Sequence, residues 1–522
     1  MAITTHKFNE AEISKLRVTK LGNDWPTVYI LENGEEMYIG ETFNVSNRLK
    51  QHIQKPERKR LNKAHLITDE RYNKSAALDI ESLLIQYFVA DDRYTLQNGN
   101  GGLSNHSYYD KEQYRAKFEV IWKELQEAGL AHRDLVQLRN TDLFKYSPYK
   151  ALTEEQLNIA DTIKDSLASG EEVTHIVNGE PGTGKSVLAT FLVKYLSQLD
   201  ETLEFDVALV IPQAGLRKTI KKVFSKIKGL KSSMVIGPQD VVGKSFDLLI
   251  VDEAHRLRRR VNLSGYVPFD SANKFYNLGN VGTQLDWIML ASKSQVLLYD
   301  GNQSVVPGDI RSSRISDLES RQYILTSQLR VMAGSDYIKY IDDLLTVKPT
   351  TKKDFGNYEL KYFDSVSEMV ATIQDRDREH GLARLVAGYA WTWETKKPNS
   401  RDYDIELDGL KLKWNSTSFD WVNSPNAINE VGCIHTVQGY DLNYVGVIIG
   451  PELTYDPRNH KMIVDKSKYM DFNGKRSIES PEELHEYIIN IYKTLLSRGI
   501  KGTYVHAVNK HLAEYLKGYI DS

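Results

Sequence analysis

The stretch His175-Ile-Val-Asn-Gly179-Glu-Pro-Gly182-Thr183-Gly184-Lys185-Ser186, followed at 187–196 by Val-Leu-Ala-Thr-Phe-Leu-Val-Lys-Tyr-Leu, decides the fold class. A short apolar strand runs into a glycine-rich turn, the turn ends in Lys-Ser, and an apolar helical run follows at once. That is the strand, loop and helix order a phosphate-cradling loop requires. Backbone N–H groups at such a helix start point at an anion, and the helix dipole favours negative charge. Gly179, Gly182, Thr183 and Gly184 are therefore expected to wrap phosphates, Lys185 to reach the β and γ oxygens, and Ser186 to ligate Mg²⁺.

Downstream of this loop, short apolar strands alternate with helical stretches: VALVIP at 207–212, FDLLIVDE at 246–253 and VLLYD at 296–300. The alternation predicts a parallel sheet with crossover helices. The third strand ends in two carboxylates. Asp252 is placed to hold Mg²⁺ through water and Glu253 to polarise an attacking water. A second alternating set starts near 320, with YILT at 323–326, LARLVAGYA at 382–390, YVGVIIG at 444–450 and YVHAV at 504–508. The class expected is α/β, a small N-terminal α/β unit followed by two tandem parallel-sheet units. The segments are 1–105, a helical connector at 106–150, a nucleotide-binding unit at 151–320 and a second sheet unit at 321–522.

The order of short motifs behind the loop resembles that of superfamily 1 helicases, and of the Schlafen-group helicase-like family in particular, over roughly 150–522. Asp252-Glu-Ala-His255 resembles motif II, Asp300 with Gln303 motif III, Gln328-Leu-Arg330 motif IV, His435-Thr-Val-Gln-Gly-Tyr-Asp441 motif V, and Leu495-Leu-Ser-Arg498-Gly motif VI. The resemblance implies two RecA-like folds with ATP between them. Gln303 would sense the γ-phosphate, and Arg330 and Arg498 would be the two arginines that read cleft closure. Gln156 resembles the adenine-selecting glutamine of such motors, although Thr153-x-x-Gln156 is equally a helix capping box. Ile211 to Ile220 resembles motif Ia, where Arg217 and Lys218 either touch a polynucleotide backbone or start a solvated helix. The Arg256 to Arg260 run is read as either a nucleic-acid contact or an exposed loop.

In the first hundred residues, Asn33-Gly34 is a strong hairpin signal, because a two-residue primed turn needs positive φ at both central residues. With that turn, Glu32 faces Glu35, Ile30 meets Met37, and Tyr29 meets Tyr38 as a cross-strand pair. Arg48 and His52 are spaced to project together from one helix face. Glu81, in Ser75-Ala-Ala-Leu-Asp-Ile-Glu81-Ser-Leu-Leu-Ile, has apolar residues at its helical neighbours 77, 78, 84 and 85, so its carboxylate calls for a cation. Asp79 is expected to face water.

These residues, with Val28-Tyr-Ile30, Tyr38-Ile-Gly40 and Asn98, resemble the GIY-YIG endonuclease module; Val28 departs from the family's first glycine. The resemblance implies one divalent metal held by Glu81 and an attack on phosphorus that involves Tyr29 or a water it activates. Arg48 would neutralise the phosphate, and Tyr38 and His52 would support proton transfer. The basic residues Lys50, Lys55, Arg58, Lys59, Arg60 and Lys63 are read either as a phosphate-backbone contact or as a solvated face.

Composition bounds the rest. The chain of 522 residues, with 41% hydrophobic and 26% charged residues, has the make-up of a folded multidomain protein. Its formal charge of −3 excludes a uniformly basic surface, so nucleic acid must be gripped by local patches. One cysteine, Cys433, excludes an intrachain disulfide or a cysteine-rich zinc site. No apolar run is long enough to span a membrane, so a cytoplasmic location is expected. The expected function is an ATP-dependent nucleic-acid helicase or translocase with an N-terminal Mg²⁺-dependent endonuclease. Foreign or damaged DNA is the first-ranked target in a phage-defence or restriction-like role, with a homo-oligomer or a defence-system protein as further partner. The alternatives are an RNA-directed nuclease-ATPase and an ATP-gated nucleic-acid sensor that neither unwinds nor cuts.

Overall fold

The computed structural model describes residues 2–16, 23–99, 108–197, 205–263, 265–303, 305, 307–396, 402–417, 420–476, 478 and 480–520. The chain divides into two compact units: Met1–Asp165 with Val187–Phe205 and Ile220–Met234, and Ser166–Ser186 with Asp206–Thr219 and Val235–Ser522. This division cuts across the four consecutive segments expected from sequence. The expected boundary near 105, and Asn100 to Gly102 of the glycine-rich stretch, lie outside the described residues.

The first unit is built on a five-stranded sheet, in the order Ala2–Lys7, Lys63–Thr68, Asn23–Glu32, Glu36–Asn44, Thr95–Leu96. Pairings are antiparallel except for the last, which is parallel. The first, second and fifth of these strands carry no strong sequence signal. The helix Val45–Ile53 is capped by Asn44, whose side chain accepts from Asn47 N, and it buries Val45, Leu49 and His52 along one stripe. The helix Lys74–Asp91 starts at Asn73, which accepts from Ala76 N, and stops at Asp92 in the left-handed conformation. Helices Lys111–Glu127, Leu135–Arg139 and Asp142–Lys145 form the expected helical segment. Gly129, at φ +72°, stops the first of them.

The hairpin register differs from the expectation by two residues. Glu32 pairs with Met37, Leu31 with Tyr38, Ile30 with Ile39 and Tyr29 with Gly40. The turn is a four-residue one at 33–36, in which Asn33 Oδ1 accepts from the backbone N–H groups of Glu35 and Glu36. Only Gly34 takes positive φ, +92°. A two-residue slip keeps every side chain on its face. Tyr29 and Tyr38 still share a face, but diagonally, and Tyr29 lies opposite a glycine.

Among the described residues the second unit carries two large sheets and a two-stranded antiparallel one, Leu453–Asp456 with Lys461–Val464. The first is fully parallel, in the order Arg321–Leu325, Thr174–Gly179, Ser292–Tyr299, Phe246–Val251, Val207–Val210, Val235–Ile236. Its neighbours pair in register, for example Val177 with Leu298 and Ile250 with Val296. The strand at 321–325, assigned from sequence to the second sheet, instead pairs with Thr174–Gly179. An isolated YILT run cannot say which sheet edge it will extend. The second sheet has seven strands, in the order Glu359–Tyr362, Gly499–Ala507, Leu442–Ile449, Ala383–Ala387, Glu430–Gly432, Leu410–Trp414, Ile405–Leu407. Only the last pair is antiparallel. Among the described residues, no helix is long and apolar enough to cross a membrane.

Candidate functional site

In the first sheet of the second unit, sheet order builds the candidate nucleotide site. Thr174–Gly179, Ser292–Tyr299 and Phe246–Val251 are adjacent and parallel, so their carboxyl ends lie side by side. The residues that follow them are the glycine-rich loop, Asp300 and Asp252. Ligands of open parallel sheets collect at this edge. Gly182 and Gly184 adopt φ of +90° and +83°, the left-handed conformation that a glycine takes without steric cost. The Lys185 ammonium folds back on its own loop, donating to Gly179 O at 2.6 Å and Glu180 O at 3.0 Å, and lies 3.7 Å from Asp300 Oδ2.

Asp252 is fully buried. Burial and the neighbouring Glu253 push its carboxyl up to about 6, against a hydrogen bond from Ser186 and the charge of Lys185. Burial alone would raise Glu253 too, but His255, 2.8 Å away, together with Lys185 and Arg498, holds it below the usual carboxylate range. A buried acid pair kept apart in this way, with a serine hydroxyl on one member, is the donor set a divalent cation takes. Ser186 and Asp252 would hold it.

A polar chain leads from this loop into the second sheet. Gln303 Nε2 donates to Asp300 Oδ2 at 2.7 Å, and Gln303 Oε1 accepts from Arg498 at 3.0 Å. Arg498 sits at the start of the strand Gly499–Ala507 and is 1% exposed. Gln438, from the motif V stretch, donates to Gln303 O at 3.2 Å and accepts from Arg256 at 2.8 Å. Gln328 Nε2 donates to Pro181 O at 2.7 Å and Leu329 N to Gly182 O at 2.8 Å, so the Gln328-Leu-Arg330 segment lies on the phosphate loop. Arg330 pairs with Asp441. Glu180, Pro181, Gln303, Asp342 and Lys493 line a cavity of about 480 Å³ beside the loop. A second cavity, about 380 Å³, lies among Pro212 to Leu216, Arg256, Arg258 and His435 to Tyr440.

The Arg256 to Arg260 run is not an open basic strand. Arg256 and Arg258 lie 3.7 and 3.4 Å from Asp309, Arg259 donates to Asp309 O, and Arg260 pairs with Asp270. Arg217 is likewise engaged, donating to Ile211 O at 2.6 Å. Gln156 forms the capping box, accepting from Thr153 N at 3.0 Å.

In the first unit, four of the sequence-selected residues, Tyr29, Tyr38, Arg48 and His52, meet in one cluster. Tyr29 and Tyr38 rings lie 6.2 Å apart, and each is within 6 Å of the His52 ring. Tyr29 Oη is 2.7 Å from His52 Nε2 and receives Arg48 Nε at 3.4 Å. Gly40 makes room for this: a Cβ there would lie 2.5 Å from Tyr29 Cζ and closer still to the hydroxyl. Asn98 grips the backbone of Ile39 from both sides, accepting from its N–H at 3.1 Å and donating to its C=O at 2.7 Å. Burial, followed by the charges of Arg58 and Arg48, lowers His52 to about 3, so the ring is neutral near pH 7. Burial and Tyr38 hold the Tyr29 phenol well above its ordinary range.

Glu81 departs from expectation. Among the described residues it makes no ion pair; burial and then the charge of Glu41 push its carboxyl up to about 7. One Glu41 oxygen, Oε2, is buried without a hydrogen-bond partner while Lys74 pairs with the other. Two carboxylates side by side, one of them short of a partner, fit a divalent cation better than they fit each other. Asp79 does not face water freely, since Arg115 and Tyr108 hold it. Sequence reasoning did not place Arg58 and Glu41 in the site. Arg58 reaches it from beyond the helix end at Pro56, and no spacing rule announces that return.

Residues 172–509 match the family Schlafen group 3, DNA/RNA helicase domain. The chain belongs to this family. The match spans both large sheets of the second unit, from the strand before the phosphate loop to the one that follows Arg498, and is consistent with the α/β, helicase-like architecture. An uncharacterized protein of Saccharomyces cerevisiae is 27% identical to this Schlafen group 3 member over 392 residues, 65% of the chain and 83% of the relative. Among solved structures, the Pif1 helicase from Candida albicans is 12% identical, covers 70% of this chain and 98% of its own, and has a TM-score of 0.28. Pif1 helicase from Bacteroides in complex with ADP-AlF3 and ssDNA is 13% identical, with 68% and 92% coverage and a TM-score of 0.26.

Proposed function

We propose that the protein is an ATP-driven nucleic-acid translocase or helicase that carries a divalent-metal-dependent endonuclease in its first unit. The chain from Lys185 through Asp300 and Gln303 to Arg498 carries the reading, because it ties the phosphate loop of one sheet to an arginine of the other. ATP binding would draw Lys185 off the Gly179 and Glu180 carbonyls onto phosphate oxygens and leave Asp300 to Gln303. Arg498, already bonded to Gln303, would then stabilise charge on the γ-phosphoryl as its bond breaks. Glu253, held below the usual carboxylate range by His255, would orient the attacking water. Mg²⁺, held by Ser186 and Asp252, would neutralise phosphate charge. Gln156 and Arg330 keep their proposed roles, in adenine selection and in reading cleft closure. The polynucleotide would lie along the cavity between Pro212 to Leu216 and His435 to Tyr440.

The nuclease half is supported by the convergence of Tyr29, Tyr38, Arg48 and His52, with the charge of Glu81 acting on Tyr29. Arg48 would neutralise the scissile phosphate and Tyr29 would act in the attack. Glu81, with Glu41 beside it, would hold a divalent metal that serves as Lewis acid. Joining cutter and motor in one chain keeps the cutter at high effective concentration wherever the motor binds. Foreign or damaged DNA remains the first-ranked target, with RNA the other outcome of the test. Purified protein is assayed on single-stranded, duplex and forked DNA and RNA, with and without ATP and Mg²⁺. The reading expects nucleic-acid-stimulated ATP hydrolysis, lost in Lys185→Ala, and metal-dependent cleavage, lost in Glu81→Ala with ATPase activity retained. Cleavage that survives Glu81→Ala would reassign the metal, and ATPase activity indifferent to every polynucleotide would remove the motor.

A further inference from the structure

Arg58 stands at the end of a short helical turn, Pro56–Arg58, and is 6% exposed. Its guanidinium lies 3.3 Å from the centre of the Tyr38 ring, and NH1 is 2.8 Å from His52 Nδ1. Among the described residues no carboxylate pairs with it, and its Nε is buried without a hydrogen-bond partner. The aromatic face and the imidazole are what hold this cation.

A guanidinium only donates. Nδ1 of His52 must therefore present its lone pair to Arg58, and a neutral imidazole carries one N–H, which is left to Nε2. Nε2 faces Tyr29 Oη at 2.7 Å, so in that contact the histidine is the donor and the phenol oxygen the acceptor. Arg48 Nε is a second donor to the same oxygen, at 3.4 Å. With both lone pairs of Oη receiving, the phenol's own proton must point away from His52.

We infer that Arg58 is a positioning residue, locking His52 in its Nε2–H form so that His52 and Arg48 together donate to Tyr29 and the tyrosine's proton is turned away from the imidazole. This rests on the nuclease reading of the first unit. His52 has no free lone pair with which to act as base towards Tyr29. A doubly protonated ring would set a second positive charge against Arg58 and Arg48, with Lys55 adding a third nearby repulsion. Tyr38 supports the arrangement by lying under the guanidinium.

The test is tautomer-resolved NMR of the full chain labelled with ¹⁵N in the histidine rings, the His52 signal being assigned by its loss in His52→Gln. The wild-type ring is expected to show a protonated Nε2 and an unprotonated Nδ1, unchanged from pH 8 to pH 5. Arg58→Met, which keeps length and removes the donors, should let the ring exchange tautomers and take up a proton at a higher pH than in the wild type, while burial and Arg48 still hold it below the ordinary histidine value of about 6.5. Arg58→Lys, which still donates, should restore most of the wild-type signal. Cleavage by Arg58→Met should fall on the order of 10- to 100-fold in kcat, with KM changed less than about threefold. A wild-type ring protonated on Nδ1, or one that titrates between pH 5 and 7, overturns the inference, as does a spectrum unmoved by Arg58→Met. The wild-type spectrum decides even where Arg58→Met fails to fold. If the tautomer is as inferred and no polynucleotide is cut, the donor arrangement stands and the nuclease reading falls.

Discussion

Gly40→Ala tests the physical basis of the tyrosine cluster. The backbone at Gly40 is ordinary strand, so the substitution brings no conformational strain, and its whole effect is the added methyl. That Cβ would sit 2.5 Å from Tyr29 Cζ, where carbon atoms normally keep about 3.5 to 4.0 Å. The ring must retreat by about 1 Å. Tyr29 is 0% exposed and has no room to do so without leaving His52. Overpacking costs about 1 to 3 kcal/mol and the lost buried hydrogen bond about 1 more, so local opening should become easier by about 2 to 4 kcal/mol. Amide hydrogen exchange of peptides across 23–44 in the full chain should then speed up by about 30- to 700-fold, at 1.4 kcal/mol per tenfold change. Cleavage should fall on the order of 10²-fold, as expected for a reacting group displaced by 1 Å. Adding Tyr29→Leu, whose side chain ends short of Cζ, should recover most of the exchange protection but none of the activity. Exchange within twofold of wild type in Gly40→Ala, or a double variant no better protected, would refute the steric argument.

Arg498→Ala should lower ATP turnover by about 10²- to 10³-fold while changing ATP affinity less than threefold, because its charge is needed as the phosphoryl bond breaks; equilibrium binding set against single-turnover hydrolysis separates the two. Lys185→Ala should abolish measurable hydrolysis but cost the fold only about 1 to 2 kcal/mol, the worth of its two carbonyl contacts, as read from the shift of the thermal transition. Glu452 is fully buried against the Tyr492 hydroxyl, and burial raises its carboxyl from 4.5 to about 7. A carboxyl raised in the fold ionises at a cost, so stability present at low pH is lost as pH climbs through about 7. Glu452→Gln removes that loss, and its melting temperature should gain on wild type between pH 5.5 and 8.5 by the equivalent of about 2 kcal/mol. An equal difference at both pH values would place the cost elsewhere.

The local signals were strong where backbone chemistry is strict. Glycines at 182 and 184 ahead of Lys-Ser, after an apolar strand and before an apolar helix, admit few structures, and the loop forms as read. The same holds for the acid pair that ends Phe246–Val251. The face shared by Tyr29 and Tyr38 also survived the register error, because strand side chains repeat every two residues and a slip of two leaves each on its side. What sequence left open were partners distant along the chain. The run at 256–260 looks the same whether solvated or bound, and only Asp309 and Asp270 show that its charges are spent inside the unit. The strand at 321–325 looks the same at either sheet's edge, and only its pairing with Thr174–Gly179 assigns it.

By itself, then, the sequence determined an α/β protein with a phosphate loop, an acid pair behind a buried strand, and a tyrosine, arginine, histidine and glutamate set near the N-terminus, since each is written in the spacing of a few neighbouring residues. Tertiary structure alone decided that Arg498 reaches Gln303, that Arg58 holds His52 by its Nδ1, and that the charge of Glu41 acts on Glu81. The first two contacts join residues 195 and 6 positions apart. No local propensity records where the chain will come back to itself.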